Sequence, residues 1–584
     1  MQITAVAEAL ASEGVGPPVL NALVANEDNY TVLLMQPCGQ IEASAAGVRN
    51  RDRVLAQKQF GEFVTDACKT QPDLVITPEY SMPWATLVGA IKGSAVPALG
   101  KLWALGCESI KYSDLQALKD DLASFATVLF EPLEPDPGRF VDPLAYVFNA
   151  VPADGNGGAP RTIVLVQFKT HPMGDKDHFE INGMQRGTCL YQFGGVGQSL
   201  RLVSLICSDA FAFQDEDAKA VYDRSLIIHI QLNPSPRQDL FRLYRDRLFL
   251  QFKSDETELI CLNWARDVCE WNGGNERPWN NIAASAWYLR PREFDERDVT
   301  LCANHKRGLY YTWMKTRHTH ALFFNYKPAA YQLVATKVAH IAVPAPVDRR
   351  VGPKLVKTRI WDEATGFWVE QVEADDGFLA VVAEAGGARD EIRSVYDKNP
   401  INGERVLALC EGKIEHGDDW HSVRELDSCI LDTSEVIRRM TFCQDTDAGG
   451  REFRVKRLKR CGRLWDILKT KSLLPAALKD FGDGFRFEWM SEFPHQNAVT
   501  DKRGRATVVY MGEECNEAQV ETVAKTIAEL LRRRFDDPQE RRLAVQRLAV
   551  WFRDKDKIVP LDPHRYVRFD QTSDASEFYI GRES

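Results

Sequence analysis

Short apolar runs rich in strand-forming residues recur between residues 29 and 325, and they restrict the fold more than any other feature. The first run, NYTVLLMQP at 29–37, ends at a proline, as a buried strand often does. A helix is predicted between Arg51 and Thr70, where apolar residues recur at helical spacing, and a second strand follows at 74–76. Further strands are predicted at 102–110, 125–130, 145–151, 161–168, 200–207, 225–232, 258–264 and 320–325, with a helix at 238–254. This mixture predicts an α/β domain whose strand ends are the places to look for a site.

Length and composition point to a globular protein of more than one domain. The chain has 584 residues, of which 44% are hydrophobic and 27% are charged, and this excludes a disordered chain. Its net charge of -10 gives no overall attraction for nucleic acid or anionic membranes. The 13 cysteines have no CxxC spacing, and no apolar run is long enough to span a bilayer. We therefore expect reduced thiols, no membrane and a cytoplasmic location.

Three of the predicted strands lead to reactive side chains, Glu79, Lys169 and Cys207. A thiol attacks an amide or nitrile carbon only as the thiolate, so Cys207 needs a base, and Glu79 is the candidate. Lys169 is suited to stabilise the oxyanion that then forms. Taken singly, the glutamate and the lysine are ordinary loop residues and the cysteine is a buried hydrophobe. Their order and shared position at strand ends favour a catalytic triad.

The segments around these three residues resemble the nitrilase, or carbon–nitrogen hydrolase, superfamily, which has the same order of Glu, Lys and Cys. The segments are DLVITPEYSMP, YVFNAVPADGNGGAPRTIVLVQFKTHP and RLVSLICSDAFAF. The resemblance extends over 29–344. It implies an αββα sandwich, usually dimeric, that hydrolyses or transfers acyl groups at non-peptide carbon–nitrogen bonds without a metal or other cofactor.

The resemblance also implies a second glutamate that orients the lysine. Glu180 is our prediction for that role. Asp177 stays an alternative, because DKDHFE offers two carboxylates within a few residues and the sequence does not say which one faces inward.

Four further residues are predicted to bind substrate. LIIHIQLNPSP and ELICLNWARD resemble the family's strands after the nucleophile, which makes Asn233 and Asn263 candidates. His171, with His178 nearby, and Asp209 are candidates because they flank the lysine and the cysteine. The family commonly has an aromatic residue after the nucleophile and Phe-Pro soon afterwards, whereas this chain continues SDAF, so the pocket is expected to be unusual.

The predicted domains are an N-terminal extension at 1–28, the nitrilase-like domain at 29–344 and a smaller mixed α+β region at 345–584. Strands are expected around RIWDEATGFWVEQVEAD and GFLAVVAEA in the last region. Two amphipathic helices, starting after Asn516 and Asp537, predict a terminal helical hairpin with Leu548, Trp551 and Phe552 on its second helix.

A basic cluster at 451–471, REFRVKRLKRCGRLWDILKTK, has two interpretations. A cluster with this many lysines and arginines is able to bind a row of phosphate groups. In an acidic chain without a nucleic-acid motif, a solvated or acid-paired face is favoured.

The predicted function is thiol-dependent hydrolysis of a small amide or carbamoyl substrate by a homodimer or larger homo-oligomer, with a regulatory or partner-binding C-terminal region. The contrasting hypothesis is a catalytically retired sensor or scaffold whose C-terminal domain binds a partner or nucleic acid. Nitrile hydrolysis or ammonia channelling is a third possibility. Channelling is disfavoured because the chain has no Ser-Gly-Gly loop of an ATP-dependent synthetase.

Overall fold

The structure is a computed structural model, and it divides the chain into two compact units. Among the described residues, the first unit runs to Ala374 and the second begins at Asp375. Both units mix helices with sheets, so the predicted α/β class holds at this level. The structure describes residues 1–26, 29–153, 158–174, 179–194, 200–221, 223–236, 239–249, 256–279, 285–290, 294–314, 318–338, 352–415, 417–426, 439–440, 443–444, 447–502 and 504–566.

The first unit's strands range from fully buried to fully exposed. They are β1 (Gln2–Ala5), β2 (Asn29–Gln36), β3 (Gly39–Ser44), β4 (Gly47–Asn50), β5 (Leu74–Met82), β6 (Leu102–Cys107), β7 (Ile110–Lys111), β8 (Thr127–Phe130), β9 (Phe140–Val141), β10 (Pro143–Ala150), β11 (Arg161–Phe168), β12 (Cys189–Gly194), β13 (Arg201–Ile206), β14 (Ser225–Ile230), β15 (Thr257–Leu262), β16 (Val268–Asn272), β17 (Asn275–Pro278), β18 (Ala286–Leu289), β19 (Leu309–Met314), β20 (Thr319–Phe324), β21 (Ala329–Thr336), β22 (Lys354–Asp362) and β23 (Phe367–Gln371). Each strand predicted between residues 29 and 325 corresponds to one of these.

Two large sheets contain most of these strands. One has nine strands in the order β23-β22-β21-β2-β5-β6-β10-β11-β8, and the other has eight in the order β1-β12-β13-β14-β15-β18-β20-β19. A four-stranded sheet, β17-β16-β3-β4, and the pair β7-β9 complete the unit. Glu79 therefore lies in the nine-stranded sheet, Lys169 directly follows a strand of that sheet, and Cys207 directly follows a strand of the eight-stranded one.

The first unit's helices pack against its sheets and against one another. They are α1 (Val6–Ala11), α2 (Arg53–Thr70), α3 (Trp84–Lys92), α4 (Tyr112–Leu122), α5 (Phe179–Gly183), α6 (Asp209–Ala212), α7 (Asp215–Val221), α8 (Asp239–Phe249) and α9 (Asp298–Arg307). The predicted helix at 51–70 is α2, which begins after Asp52 because that side chain accepts a hydrogen bond from Leu55 N. Phe60 and Phe63 of α2 pack in one core with Leu33 and Val75 of the nine-stranded sheet.

The other face of the nine-stranded sheet contacts the eight-stranded sheet. Gln167 on β11 donates from Nε2 to Ser204 O on β13 at 3.0 Å. The ring of Phe193 on β12 lies with its centroid 5.0 Å from that of Tyr146 on β10. These contacts bring the end of β11, which precedes Lys169, close to the end of β13, which precedes Cys207.

The first unit is longer at both ends than the predicted domain at 29–344. Strand β1 pairs with β12 in parallel, so part of the predicted extension at 1–28 belongs to the eight-stranded sheet. At the other end, β22 pairs with β21 and β23 pairs with β22. The physical reason is the same at both ends, since each strand satisfies its backbone groups by extending an existing sheet.

The second unit has a five-stranded sheet, β24 (Phe485–Phe487), β25 (Ala498–Thr500), β26 (Arg505–Tyr510), β27 (Leu548–Asp554) and β28 (Lys557–Pro560), in that order. Its helices are α10 (Phe378–Val381), α11 (Arg389–Lys398), α12 (Pro400–Cys410), α13 (Ala448–Lys469), α14 (Glu517–Arg534) and α15 (Pro538–Gln546). A core that includes Leu458, Ile527 and Trp551 joins helices and sheet.

Two predictions for the second unit were wrong. GFLAVVAEA forms helix α10 and a 3-10 turn at Val382–Ala388 instead of a strand. The predicted hairpin has its first helix, α14, but α15 ends at Gln546, and Leu548, Trp551 and Phe552 lie on β27. Parallel pairing of β27 with β26 buries those apolar residues in the sheet, which local helical spacing did not reveal.

Part of the basic cluster on α13 is buried. Arg454 and Arg457 are nearly inaccessible, and Arg457 donates to Glu404 at 2.7 Å and to Glu411 at 2.6 Å. Lys456 pairs with Glu452 on the same helix. For these residues the geometry matches the acid-paired interpretation and removes two arginines from any phosphate-binding surface.

Among the helices that the structure describes, none is both long enough and apolar enough to cross a lipid bilayer.

Candidate functional site

The three predicted catalytic residues occupy different kinds of strand end. Glu79 lies in a register shift of β5 between Thr77 and Met82, which turns its side chain out of the regular sheet. Lys169 directly follows β11, and Cys207 directly follows β13. The residue after Glu79, Tyr80, has φ +56°, and Cys207 has φ +41°. Non-glycine residues in this left-handed region mark strain, which concentrates at functional sites.

The Glu79 side chain is held at both carboxylate oxygens. Oε1 accepts from Lys169 Nζ at 2.7 Å, and Oε2 accepts from Leu232 N at 2.5 Å. Its backbone oxygen accepts from Trp264 Nε1 at 2.8 Å. The backbone next to Glu79 is closely packed, because a Cβ added at Gly106 would lie 2.1 Å from the Pro78 oxygen. Glu79 is thus fixed in one orientation before any substrate binds.

Lys169 lies between two glutamates. Its Nζ contacts Glu79 Oε1 and Glu180 Oε1, each at 2.7 Å. Glu180 itself accepts from Tyr80 OH at 3.0 Å and from Met173 N at 2.6 Å. Glu180 therefore takes the position predicted for the orienting glutamate. The alternative, Asp177, lies outside the described residues, and so does His178.

Burial and mutual charge shift the pKa values of this cluster. Burial raises the pKa of Glu79, against the opposing charge of Lys169. Burial alone would lower the pKa of Lys169, but Glu180 and Glu79 together raise it well above its usual range. Lys169 thus stays an ammonium, and Glu79 titrates at a higher pH than an ordinary glutamate, as a general base near neutral pH must.

Cys207 sits in a tight strand-to-helix turn, which we call the nucleophile turn (residues 206–209). Its N–H donates to Ile230 O at 2.8 Å, and its carbonyl oxygen lies 2.9 Å from His229 Nε2. Burial raises the pKa of the Cys207 thiol well above its usual range, and the charge of Glu79 adds to that while Lys169 opposes it. The resting group is therefore a thiol, and it would need a base to act as a nucleophile.

A cavity of about 1120 Å³ opens onto Cys207 and Glu79. This is a volume in which a small ligand fits. Apolar and aromatic side chains supply much of its wall, among them Phe179, Phe211, Phe241 and Trp279. Its further lining includes the charged residues Arg186, Glu270 and Arg277. A cavity of mainly apolar wall with a few polar groups suits a small organic substrate.

The two predicted asparagines have different positions. Asn233 lines the cavity, and among the described residues its Nδ2 has no hydrogen-bond partner although it is buried. Asn263 does not belong to that lining; it accepts from Asn233 N at 3.0 Å and donates to Asn233 O at 2.7 Å. Asn233 is the one able to donate to a ligand, and Asn263 holds it in place.

The other two predicted substrate-binding residues also differ in their position relative to the cavity. His171 lines the cavity, and burial, followed by the charge of Arg186, lowers its pKa. Asp209 is fully buried and accepts from Thr170 N, Thr170 Oγ1, His171 N and Ile206 N. Because backbone N–H groups and a hydroxyl donate to its oxygens, Asp209 links residues 170–171, which follow Lys169, to the nucleophile turn. Asp209 does not belong to the cavity lining, and its predicted contact with substrate stays a prediction.

Sequence reasoning missed one acidic residue, Asp142, which lies beside Lys169. Lys169 N donates to Asp142 O at 2.9 Å, and Lys169 Nζ lies 3.5 Å from Asp142 Oδ2. Counting the hairpin register back from Lys169 would have found Asp142, but the register depends on a turn whose length the sequence does not define.

Carboxylate oxygens of Glu79, Asp142 and Glu180 lie within 4.8 Å of one another, a cluster of the kind that holds metal ions. The Lys169 ammonium lies among them, in contact with all three. A metal ion would compete with this ammonium for the same oxygens and be repelled by it. We therefore assign the oxygen cluster to the lysine, and the predicted absence of a metal stays a prediction.

No protein-family model and no curated protein matches the chain. Among solved structures it is similar to the glutamine-dependent NAD+ synthetase of Acinetobacter baumannii in complex with ADP, with TM-score 0.26, 13% identity, and coverage of 62% of this chain and 53% of that one. The chain thus spans about half the length of that synthetase.

The chain is also similar to the amidase of Nesterenkonia AN1, from the nitrilase superfamily. A cysteine-to-alanine mutant of that amidase has TM-score 0.27 and 12% identity, with coverage of 45% of this chain and 84% of that one. A glutamate-to-glutamine mutant, which shows Michael addition of acrylamide at its active-site cysteine, has TM-score 0.26 and 12% identity, with coverage of 44% and 84%. Likenesses at this level leave the function to be argued from the site itself.

Proposed function

We propose that the first unit is a nitrilase-type αββα sandwich that hydrolyses a non-peptide carbon–nitrogen bond, of amide or carbamoyl type, through an acyl-cysteine at Cys207. The observation that carries this proposal is the buried Glu79–Lys169–Glu180 cluster beside the cavity that Cys207 lines. A fixed base, a fixed cation and a thiol at one cavity are the minimum set for acyl transfer to sulfur.

In the first half-reaction, the Glu79 carboxylate removes the thiol proton of Cys207 as the sulfur attacks the carbonyl carbon. The carbonyl electron pair moves to oxygen, and the negative charge there is stabilised by the Lys169 ammonium and by a hydrogen bond from Asn233 Nδ2. Losing one such donor commonly costs about 3 to 4 kcal/mol of barrier. When the carbon–nitrogen bond breaks, Glu79 returns the proton to the leaving nitrogen, and a thioester remains on Cys207.

In the second half-reaction, Glu79 removes a proton from water, which attacks the thioester carbon. The carbon–sulfur bond then breaks, Glu79 returns the proton that it took from water to the sulfur, and the acid product leaves the cavity. One carboxylate serves both steps because Leu232 N and Lys169 hold it in the same position throughout. Glu180 does not touch the substrate in this scheme; it positions the lysine.

The test is turnover of a panel of small amides and carbamoyl compounds, followed by release of ammonia or amine and by intact-protein mass spectrometry. Trapping of an acyl group on Cys207, with release abolished in Cys207→Ala, Glu79→Gln and Lys169→Met, would support the proposal. Cys68→Ala is the matched control, because Cys68 lies on α2 and does not belong to the cavity lining.

Normal turnover of the panel by Cys207→Ala would contradict the mechanism. Absence of turnover and of any adduct across a broad panel would favour the retired sensor or scaffold. The homo-oligomer stays a prediction, and light scattering on the full chain tests it.

A further inference from the structure

Asp142 is a fully buried carboxyl group that the proposed mechanism leaves without a task. It lies between β9 and β10, directly before Pro143, and its exposed fraction is 0%. The antiparallel hairpin of β10 and β11 places it opposite Lys169. An acidic side chain costs too much free energy in such a place unless something compensates it.

The three carboxyl groups at the site differ in their hydrogen-bond donors. Glu79 and Glu180 each contact Lys169 at 2.7 Å and each also accept a backbone N–H. Neither oxygen of Asp142 accepts a hydrogen bond from a described residue, and Lys169 Nζ is 3.5 Å away. Asp142 is therefore the least stabilised of the three as an anion.

The charge at the site requires a proton on one carboxyl. Three ionised carboxylates around one ammonium would leave two uncompensated negative charges in a water-poor cluster, and a thiolate at Cys207 would add a third. Carboxyl groups packed this closely share protons instead. The proton belongs on the group with the fewest donors, which is Asp142.

Resting on the proposed function, we propose that Asp142 is a positioning residue that stays a neutral carboxylic acid and donates its hydroxyl hydrogen to the Glu79 carboxylate. A neutral Asp142 gains the partner that its ionised form lacks. Glu79 gains a donor that stabilises its ionised form, which is the form that accepts the thiol proton. No covalent step is added to the mechanism.

The electrostatic surroundings of Asp142 agree with this assignment. Burial raises its pKa well above its usual range, and the charge of Glu79 raises it further. A hydrogen bond from Asp142 would lower the pKa of that glutamate, against the effect of burial. The titratable groups that face Asp142 are Glu79 and Tyr80 on β5, Cys107 at the end of β6, Lys169 after β11, Glu180 on α5 and Cys207 after β13. Of these, only Lys169 is a cation, and it is already shared by two glutamates.

The two possible charge states of Asp142 predict opposite effects on Glu79. If Asp142 is a neutral donor, Asp142→Leu removes the donor and shifts the titration of Glu79 to higher pH, whereas Asp142→Asn keeps an N–H donor and changes little. If Asp142 is an anion, both substitutions remove a negative charge beside Glu79 and shift its titration to lower pH.

The experiment measures the rate at which iodoacetamide alkylates Cys207 from about pH 4 to about pH 9, a range that extends to both sides of a raised glutamate pKa. The modified peptide is quantified by mass spectrometry. We expect Asp142→Leu to move the acid limb of this profile upward by about one pH unit, which is roughly a tenfold slower rate on that limb. Asp142→Asn should match the parent protein within about twofold. A downward shift in either variant overturns the proposal. Asp73→Asn, which breaks an ion pair with Lys101 in the same sheet, is the control that should lower thermal stability and leave the profile unchanged.

Infrared difference spectra of the full chain provide a second measurement that is independent of reactivity and of the folding of Asp142→Leu. The parent protein minus Asp142→Asn at neutral pH should show the carbonyl stretch of a protonated carboxylic acid. A carboxylate band instead would overturn the proposal. Glu79→Gln separates this inference from the proposed function: if alkylation of Cys207 does not depend on Glu79, the mechanism fails, whereas the protonation of Asp142 is still read from the infrared band.

Discussion

His229 lies fully buried on β14, directly behind the nucleophile turn, and its protonation should control the acid stability of this region. Its Nε2 lies 2.9 Å from the Cys207 carbonyl oxygen and its Nδ1 lies 2.5 Å from Tyr244 OH. In the neutral ring, Nε2–H donates to the carbonyl and Nδ1 accepts from the tyrosine. Burial lowers the pKa of His229 from 6.5 to about 3. The ring therefore stays neutral through the physiological range.

The sign and size of the effect follow from linkage. The unfolded chain binds a proton at this histidine below pH 6.5, whereas the folded chain does not until about pH 3. The unfolded state thus binds more protons in this window, so the free energy of unfolding falls as the pH falls. Between pH 7 and pH 5 the loss from His229 alone is about 2 kcal/mol.

The assay is hydrogen exchange with mass spectrometry at pH 7 and pH 5, corrected for intrinsic exchange rates and read on peptides that cover β14. His229→Asn cannot titrate, so its opening free energy should start lower but lose about 2 kcal/mol less on acidification than the parent protein. His564→Asn, at an exposed position of the second unit, is the matched control and should behave as the parent does. An unchanged pH dependence in His229→Asn would refute the reasoning.

Three further substitutions test the packing and the charges described above. Gly106→Ala places a Cβ 2.1 Å from the Pro78 backbone oxygen, so the β5 bulge must move. We expect the free energy of unfolding to fall by about 3 kcal/mol, measured by thermal unfolding. An unchanged melting temperature would contradict this expectation. Arg457→Met removes a buried cation that pairs with Glu404 and Glu411 and should cost about 3 to 5 kcal/mol in urea unfolding, with partial recovery on adding Glu404→Gln as the check. Glu180→Gln weakens the hold on the lysine and should lower kcat on an amide substrate by about a hundredfold with little change in KM, so an unchanged kcat would count against its positioning role.

The sequence by itself predicted many strands of the first unit between residues 29 and 325 and the helices α2 and α8, but not α3, α4 or β19. The runs at 29–37, 161–168 and 225–232 became β2, β11 and β14 because their apolar side chains are buried by any packed sheet, whatever its neighbours. The same local signal led to residues at the ends of buried strands, which is why Glu79, Lys169 and Cys207 were chosen as candidates. The second unit shows the limit of local patterns, since Leu548 to Phe552 have both helical spacing and the composition of a strand.

Only the tertiary structure decided which side chains meet. Glu79 depends on Leu232, Trp264 and Gly106, which lie far away in the chain, and Asp142 reaches Lys169 through the register of a long hairpin. Such contacts arise when separate strands close around one cavity, and the free energy of each depends on burial and charge that no single segment carries. The sequence therefore determines which reactive side chains are present, whereas the packing around those side chains determines their pKa values, their hydrogen-bond partners and their orientation.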